Sequence, residues 1–199
     1  MSTLPPPQSL PPRVQGHRGS VYREPENTLL SFLAAKDGGA AAVEFDVFRL
    51  VDGGLVVYHG GGTDGRPGGV EELTDGKGMI QDYNLSMVFA LNFVDRDFAC
   101  PPSQINTMSP VLPVPRIPTL REALDLCVEE GLMVTIELKG EGTAEPVAKM
   151  LEVLDEELRA EGSGYDVFKM VRFFWQVSFL QVSSTGFPTF FLNQTLLSF

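Results

Sequence analysis

Seven residues combine types and spacings that could do chemistry: two histidines, three carboxylates, an arginine and a lysine, each in or just after an apolar run. His17 closes Val14-Gln15-Gly16-His17, and His59 closes the run from Leu55 to Tyr58; the chain has no other histidine. Glu44 and Asp46 lie two apart in Val43-Glu44-Phe45-Asp46-Val47, so in a strand both face one side. Glu137 and Lys139 repeat that spacing in Ile136-Glu137-Leu138-Lys139. A plain reading makes the first pair the solvent side of an edge strand, the second an ion pair closing a strand, and each histidine structural. The sharper reading starts from the cost of placing charges inside apolar strands unless they are paired or metal-bound. Glu44, Asp46 and Glu137 then form a hard-oxygen ligand set suited to Mg²⁺ or Ca²⁺. His17 and His59 supply a general base and a general acid. Arg18 and Lys139, together with the cation, neutralise a phosphate. This set points to phosphodiester chemistry. The sequence has neither a serine nucleophile elbow nor a Gly-Lys-Ser/Thr phosphate loop.

The elements that must position these groups alternate. A short strand ends at His17. Asn27-Thr28 opens a helix carrying Leu29, Leu30, Phe32 and Leu33, and Gly38-Gly39 stops it. Ala42 to Phe48 reads as a strand, Asp52-Gly53-Gly54 as a tight turn, and Leu55 to His59 as the next strand. Residues 60–118 are rich in Gly and Pro and read as a long insertion, with a small helix near Leu85 to Leu91. Order returns where Thr119 and Glu122 take capping-box spacing for a helix to about Glu130. Met133 to Leu138 is a strand. Thr143 to Ala160 is an amphipathic helix with Val147, Met150, Leu151, Leu154 and Leu158 inward, and Val171 begins one more strand. Strands alternating with helices predict a parallel α/β fold. All the chemical residues fall in the late halves of successive strands, and the C-terminal strand edge is where parallel barrels gather catalytic groups.

Composition narrows the partners. With 26 Asp and Glu against 15 Lys and Arg, the net charge is −11, which disfavours nucleic acid and anionic lipid surfaces as general partners. A small anionic substrate stays compatible, because a bound metal inverts the local field. Cys100 and Cys127, the two cysteines, exclude a disulfide scaffold and a cysteine-based zinc cluster. Residues 1–12 read as a disordered arm without signal-peptide character, and no run is long enough for a spanning helix. The default location is therefore cytoplasmic. Residues 173–199 carry no charge yet hold half of the 14 phenylalanines. They read either as buried core or as sequence foreign to the domain, with peripheral membrane association as a further role.

Six motifs, His17-Arg18-Gly19, Pro25-Glu26-Asn27-Thr28, Val43-Glu44-Phe45-Asp46-Val47, Val56-Val57-Tyr58-His59, Ile117-Pro118-Thr119-Leu120 and Glu137-Leu138-Lys139, resemble the glycerophosphodiester phosphodiesterases in order and spacing. The resemblance runs from about Gly16 to Leu158. It implies a TIM-type (β/α) barrel, interrupted by an inserted segment over 60–118. It implies metal ligation by Glu44, Asp46 and Glu137, acid–base roles for His17 and His59, and phosphate binding by Arg18 and Lys139. The implied reaction is metal-dependent cleavage of a glycerophosphodiester to an alcohol and glycerol 3-phosphate. A lysophospholipase D-type activity and an inactive truncated fragment are the alternatives. Glu26 and Asn27 are taken as helix-start residues. In two respects the chain departs from the family. Gly60 stands where the family usually has Asp, which is expected to loosen His59 or to remove a contact beside the metal. A complete barrel also needs about 250 residues, so strands one to four or one to five of eight are expected, in a barrel portion over 13–172.

Overall fold

Residues 13–61, 66–94 and 115–174 are described by a computed structural model. The N-terminal arm, Cys100, much of the second Pro-rich stretch and nearly all of the charge-free tail lie outside the described residues. In chain order the elements are β1 (Gln15–His17), α1 (Leu29–Asp37), β2 (Ala42–Arg49), β3 (Leu55–Val57), a 3-10 turn (Ile80–Asp82), α2 (Leu85–Phe89), α3 (Leu120–Glu130), β4 (Met133–Lys139), α4 (Ala144–Ala160), α5 (Val167–Met170) and β5 (Val171–Phe174). The turn at Ile80 and the short α5 were not expected from sequence.

The parallel strands run β1-β2-β4-β5, with β3 attached to β2. This is an arc of an α/β barrel. Alternation sorts β2 cleanly: Val43, Phe45 and Val47 join the main core with Phe32 of α1 and Leu120, Leu124 and Cys127 of α3. Val134 and Ile136 of β4, and Val147, Leu151 and Leu154 of α4, complete that side. A fully buried Leu or Phe of this kind contributes roughly 1.5–3 kcal/mol. Glu44, Asp46 and Phe48 take the other face of β2. The helices end as their sequences require. Thr119 and Glu122 form both halves of the capping box, and Gly131 closes α3 at φ 63°.

One expectation needs correction. β3 is not a parallel barrel strand: it returns antiparallel along β2, pairing Val57 with Val47 and Leu55 with Arg49. The tight turn at Asp52-Gly53-Gly54 is too short for a crossover, which parallel pairing requires. The excursion from the barrel therefore begins at β3, and the parallel strands number four among the described residues. The excursion has its own core of Phe48, Val56, Tyr58, Val70, Ile80 and Ile117.

Candidate active site

Register places the first groups. Parallel pairing sets His17 of β1 opposite Glu44 of β2, and Asp46 of β2 opposite Glu137 of β4. Neighbouring strands lie about 4.8 Å apart, so same-face carboxylates on adjacent strands are forced together. One ligand atom from each of Glu44, Asp46 and Glu137 lies within 4.8 Å of the others, and all three residues are buried. Lys139, two beyond Glu137, reaches back over the cluster. Its Nζ is 3.2 Å from Asp46 Oδ1 and also pairs with Glu137.

The loop after β1 supplies the second cation. Arg18 sits at φ 56°, a left-handed conformation that is costly for a non-glycine residue. Its backbone N–H donates to Glu44, both to the main-chain carbonyl at 2.8 Å and to Oε2 at 3.1 Å. Its guanidinium lies 3.3 Å from Asp46 Oδ2 and donates to Glu26 at 3.2 Å. Asn27, at φ 57°, is the other left-handed non-glycine residue among those described. Its side-chain amide donates to Asp46 Oδ2 at 3.1 Å and accepts from the Asp46 N–H at 3.3 Å.

Glu26 and Asn27 are therefore not merely helix-start residues. The helix cap is Thr28, which forms the capping box with Ser31, and Glu26 and Asn27 brace the site instead. Asparagine's tolerance of the left-handed region was the signal available in the sequence.

His59 reaches the site by a different route from the one expected. It lies two residues past β3, on the antiparallel return, and not at the C-terminal edge of a parallel strand. The Tyr58 N–H donates to the Asp46 carbonyl at 3.0 Å, and the Gly68 N–H donates to the His59 carbonyl at 2.7 Å. Glu44 and Asp46 likewise lie early to midway along β2, because that strand runs on to Arg49 to pair with β3. Gly60 does not free the backbone: its N–H donates to Glu26 Oε1 at 3.3 Å. The ring is another matter, since His59 Nδ1 is buried with no hydrogen-bond partner. At φ 52°, a Cβ on Gly60 would fall 2.3 Å from Tyr58 Oη and 2.5 Å from the Gly69 carbonyl. An aspartate cannot enter this backbone unchanged.

Electrostatics separate the groups. Burial, reinforced by the Asp46 charge, pushes the Glu44 carboxyl up to about 7, although the Arg18 N–H opposes it. Burial also holds His59 below the ordinary imidazole range; Asp46 pulls the other way, while Arg18 and Lys139 deepen the depression. His17 is the exposed member, with 71% of its side chain open and Nε2 3.7 Å from Glu44 Oε2. Three buried carboxylates with hard oxygens fit a divalent cation. Asp46 Oδ1 accepts no hydrogen bond of good geometry, although Lys139 Nζ lies 3.2 Å from it, so it retains lone pairs for a ligand bond.

A parallel α/β arc with a carboxylate cluster, two cations and two histidines on one face defines a class of barrel protein. The glycerophosphoryl diester phosphodiesterase family model matches residues 17–172. The chain belongs to that family. It is 32% identical over 124 residues to glycerophosphodiester phosphodiesterase 1 of Mus musculus, covering 62% of this chain and 33% of that relative. A glycerophosphodiester phosphodiesterase of Caldanaerobacter subterraneus is 28% identical over 165 residues, covering 79% and 59%. Among solved structures, a phosphodiesterase of Oleispira antarctica, in complex with the product sn-glycerol-3-phosphate, superposes with a TM-score of 0.58. It is 27% identical, over 84% of this chain and 66% of that one. The chain spans about a third of the length of the mammalian relatives it matches. Among the described residues, no helix is long and apolar enough to cross a membrane.

Proposed function

We propose that this site hydrolyses glycerophosphodiesters to an alcohol and glycerol 3-phosphate. The observation that carries the reading is the convergence of Glu44, Asp46 and Glu137 within 4.8 Å of one another, beside two cations and two histidines. The three carboxylates would hold one Mg²⁺ or Ca²⁺. Bound there, the ion supplies Lewis-acid stabilisation of a phosphoryl oxygen.

The chain's own residues do the rest. Arg18 and Lys139 hold the phosphate from two sides, and Glu26 and Asn27 keep Arg18 and Asp46 in place. His59, whose imidazole burial holds below its ordinary range, takes the proton of the glycerol hydroxyl that attacks phosphorus. His17, open to solvent, gives a proton to the departing alcohol oxygen as its bond to phosphorus breaks. Water then opens the resulting cyclic phosphate with the two histidines in reversed roles, so one water is consumed overall. We assign residues 13–172 to the barrel portion of the family domain, with the inserted segment entered through β3.

The test is glycerol 3-phosphate release from glycerophosphoethanolamine by the 199-residue chain, with its His17→Ala and His59→Ala variants alongside. General acid–base groups contribute typically 10²–10⁴-fold, and losses of that order are expected from each variant. Turnover unaffected by both substitutions would overturn the assignment.

A further inference from the structure

An acid–base imidazole is usually aimed by a hydrogen bond on the ring nitrogen turned away from the reaction. His59 has no such bond among the described residues, because its Nδ1 is buried without a partner. Its main chain is held instead. The Tyr58 N–H donates to the Asp46 carbonyl, the Gly68 N–H to the His59 carbonyl and the Gly60 N–H to Glu26. The Tyr58 side chain adds a further tie: its hydroxyl donates to the Gly69 carbonyl at 3.0 Å, across eleven residues.

Gly69 is itself fixed from behind. It pairs with Met79 in an antiparallel bridge. Beside that bridge the Ile80 N–H donates to the Gly68 carbonyl and the Val70 N–H to the Gly78 carbonyl. Val70 and Ile80 are fully buried, so the hydroxyl ties the residue before His59 to the core of the excursion. The same hydroxyl stands where a side chain at position 60 would begin. A Cβ on Gly60 would lie 2.3 Å from Tyr58 Oη and 2.4 Å from its Cε1. The Tyr58 ring and a carboxylate at 60 therefore compete for one space.

We propose that Tyr58 is a positioning residue for His59. Its bond to Gly69 latches the excursion beside the imidazole, in the space that an aspartate at 60 would need. Tyr58 touches no reacting atom; it fixes the backbone from which the ring projects. The inference rests on the phosphodiesterase reading.

The test measures glycerophosphoethanolamine turnover and imidazole NMR signals on the full chain. Tyr58→Phe keeps the buried ring and removes only the bond. Its kcat is expected to fall about tenfold to a hundredfold, with KM changed less than about twofold, because a small misplacement of an acid–base group is felt in the chemical step. The chain has two histidines, and the exposed His17 serves as the internal reference. The ring-proton signals of His59 should shift or broaden in Tyr58→Phe while those of His17 stay. Tyr58→Leu and Gly60→Asp should each lower kcat, and the double variant should be more active than either. With the ring and its bond gone, the aspartate finds room, the Gly69 carbonyl can yield, and aspartate tolerates the left-handed backbone. An unchanged kcat or unmoved His59 signals in Tyr58→Phe overturn the proposal, as do losses that simply add in the double variant. If the unsubstituted chain leaves the substrate intact, the phosphodiesterase reading fails by itself, and the His59 signals alone decide the latch.

Discussion

The parallel arc and the excursion that starts at β3 share one strand but hold their functional groups differently. On one face of β2, Phe45 and Val47 pack beneath α1 and α3; on the other, Phe48 packs into the core of the excursion. The arc fixes Glu44, Asp46 and Glu137 by strand register, so the backbone ladder itself sets their separation. The excursion fixes His59 by a hairpin and a few main-chain hydrogen bonds. The carboxylate cluster and His59 are thus held by separate cores, while His17 stays on the arc at the end of β1. A perturbation of one should leave the other measurable.

The largest effect is expected at the point where everything meets. Asp46 is fully buried and faces Arg18, Asn27 and Lys139. Asp46→Ala leaves the two cations, Arg18 and Lys139, and the Asn27 amide without their shared partner and should cost about 3–5 kcal/mol of stability, by the usual penalty for breaking a buried pair. Urea unfolding checks this, and a loss under 1 kcal/mol would contradict the central place given to Asp46.

Two core truncations then separate the regions. Leu124→Ala in the arc and Ile80→Ala in the excursion, both fully buried, should each cost about 2–5 kcal/mol. They should differ in what fails first. Ile80→Ala lowers kcat while metal affinity holds, whereas Leu124→Ala weakens metal binding as the sheet loosens. Calorimetry and turnover on the same preparations reveal whether the two losses can be uncoupled.

Restoring the residue usual in the family should hurt. Gly60→Asp forces a side chain against Tyr58 and the Gly69 carbonyl. It should cost about 1–3 kcal/mol, as overpacking does, and lower turnover through His59. A rise in activity would show that the backbone at Gly60 adapts and that the excursion is softer than its contacts imply.

The smallest effect is one of pH. In the fold the Glu44 carboxyl keeps its proton up to about 7, against 4.5 for the ordinary group. The folded metal-free chain therefore binds more protons than the unfolded chain between those values. Its stability should fall as pH rises through that window. A bound divalent cation requires the carboxylate form and should flatten or reverse the slope. Melting temperatures taken from pH 4.5 to 7.5, with chelator and with Ca²⁺, test the sign.

How much of this could be read in the sequence follows the same division. In the arc, period-two alternation, the capping box at Thr119 and Glu122, and the helix stop at Gly38-Gly39 each carry a local signal, and together they bring Glu44, Asp46, Glu137 and Lys139 onto one face. The direction of β3 was not read. An apolar run of three residues looks the same parallel or antiparallel, and only the short turn before it distinguishes them. Asn27 was read as a helix start because its true role, pairing with Asp46 nineteen residues later, is a tertiary contact that no local pattern contains. The effect of Gly60 likewise depends on Gly69 closing over Tyr58, which is visible only once the excursion is folded.

The central claim is that strand register builds a metal site, and calorimetric titration of Mg²⁺ and Ca²⁺ into the 199-residue chain and its Glu137→Gln variant tests it most directly. The account predicts one divalent ion per chain and a binding signal lost or weakened at least tenfold in Glu137→Gln. No binding of either ion, or equal binding in the variant, would show that the three carboxylates converge for some other reason.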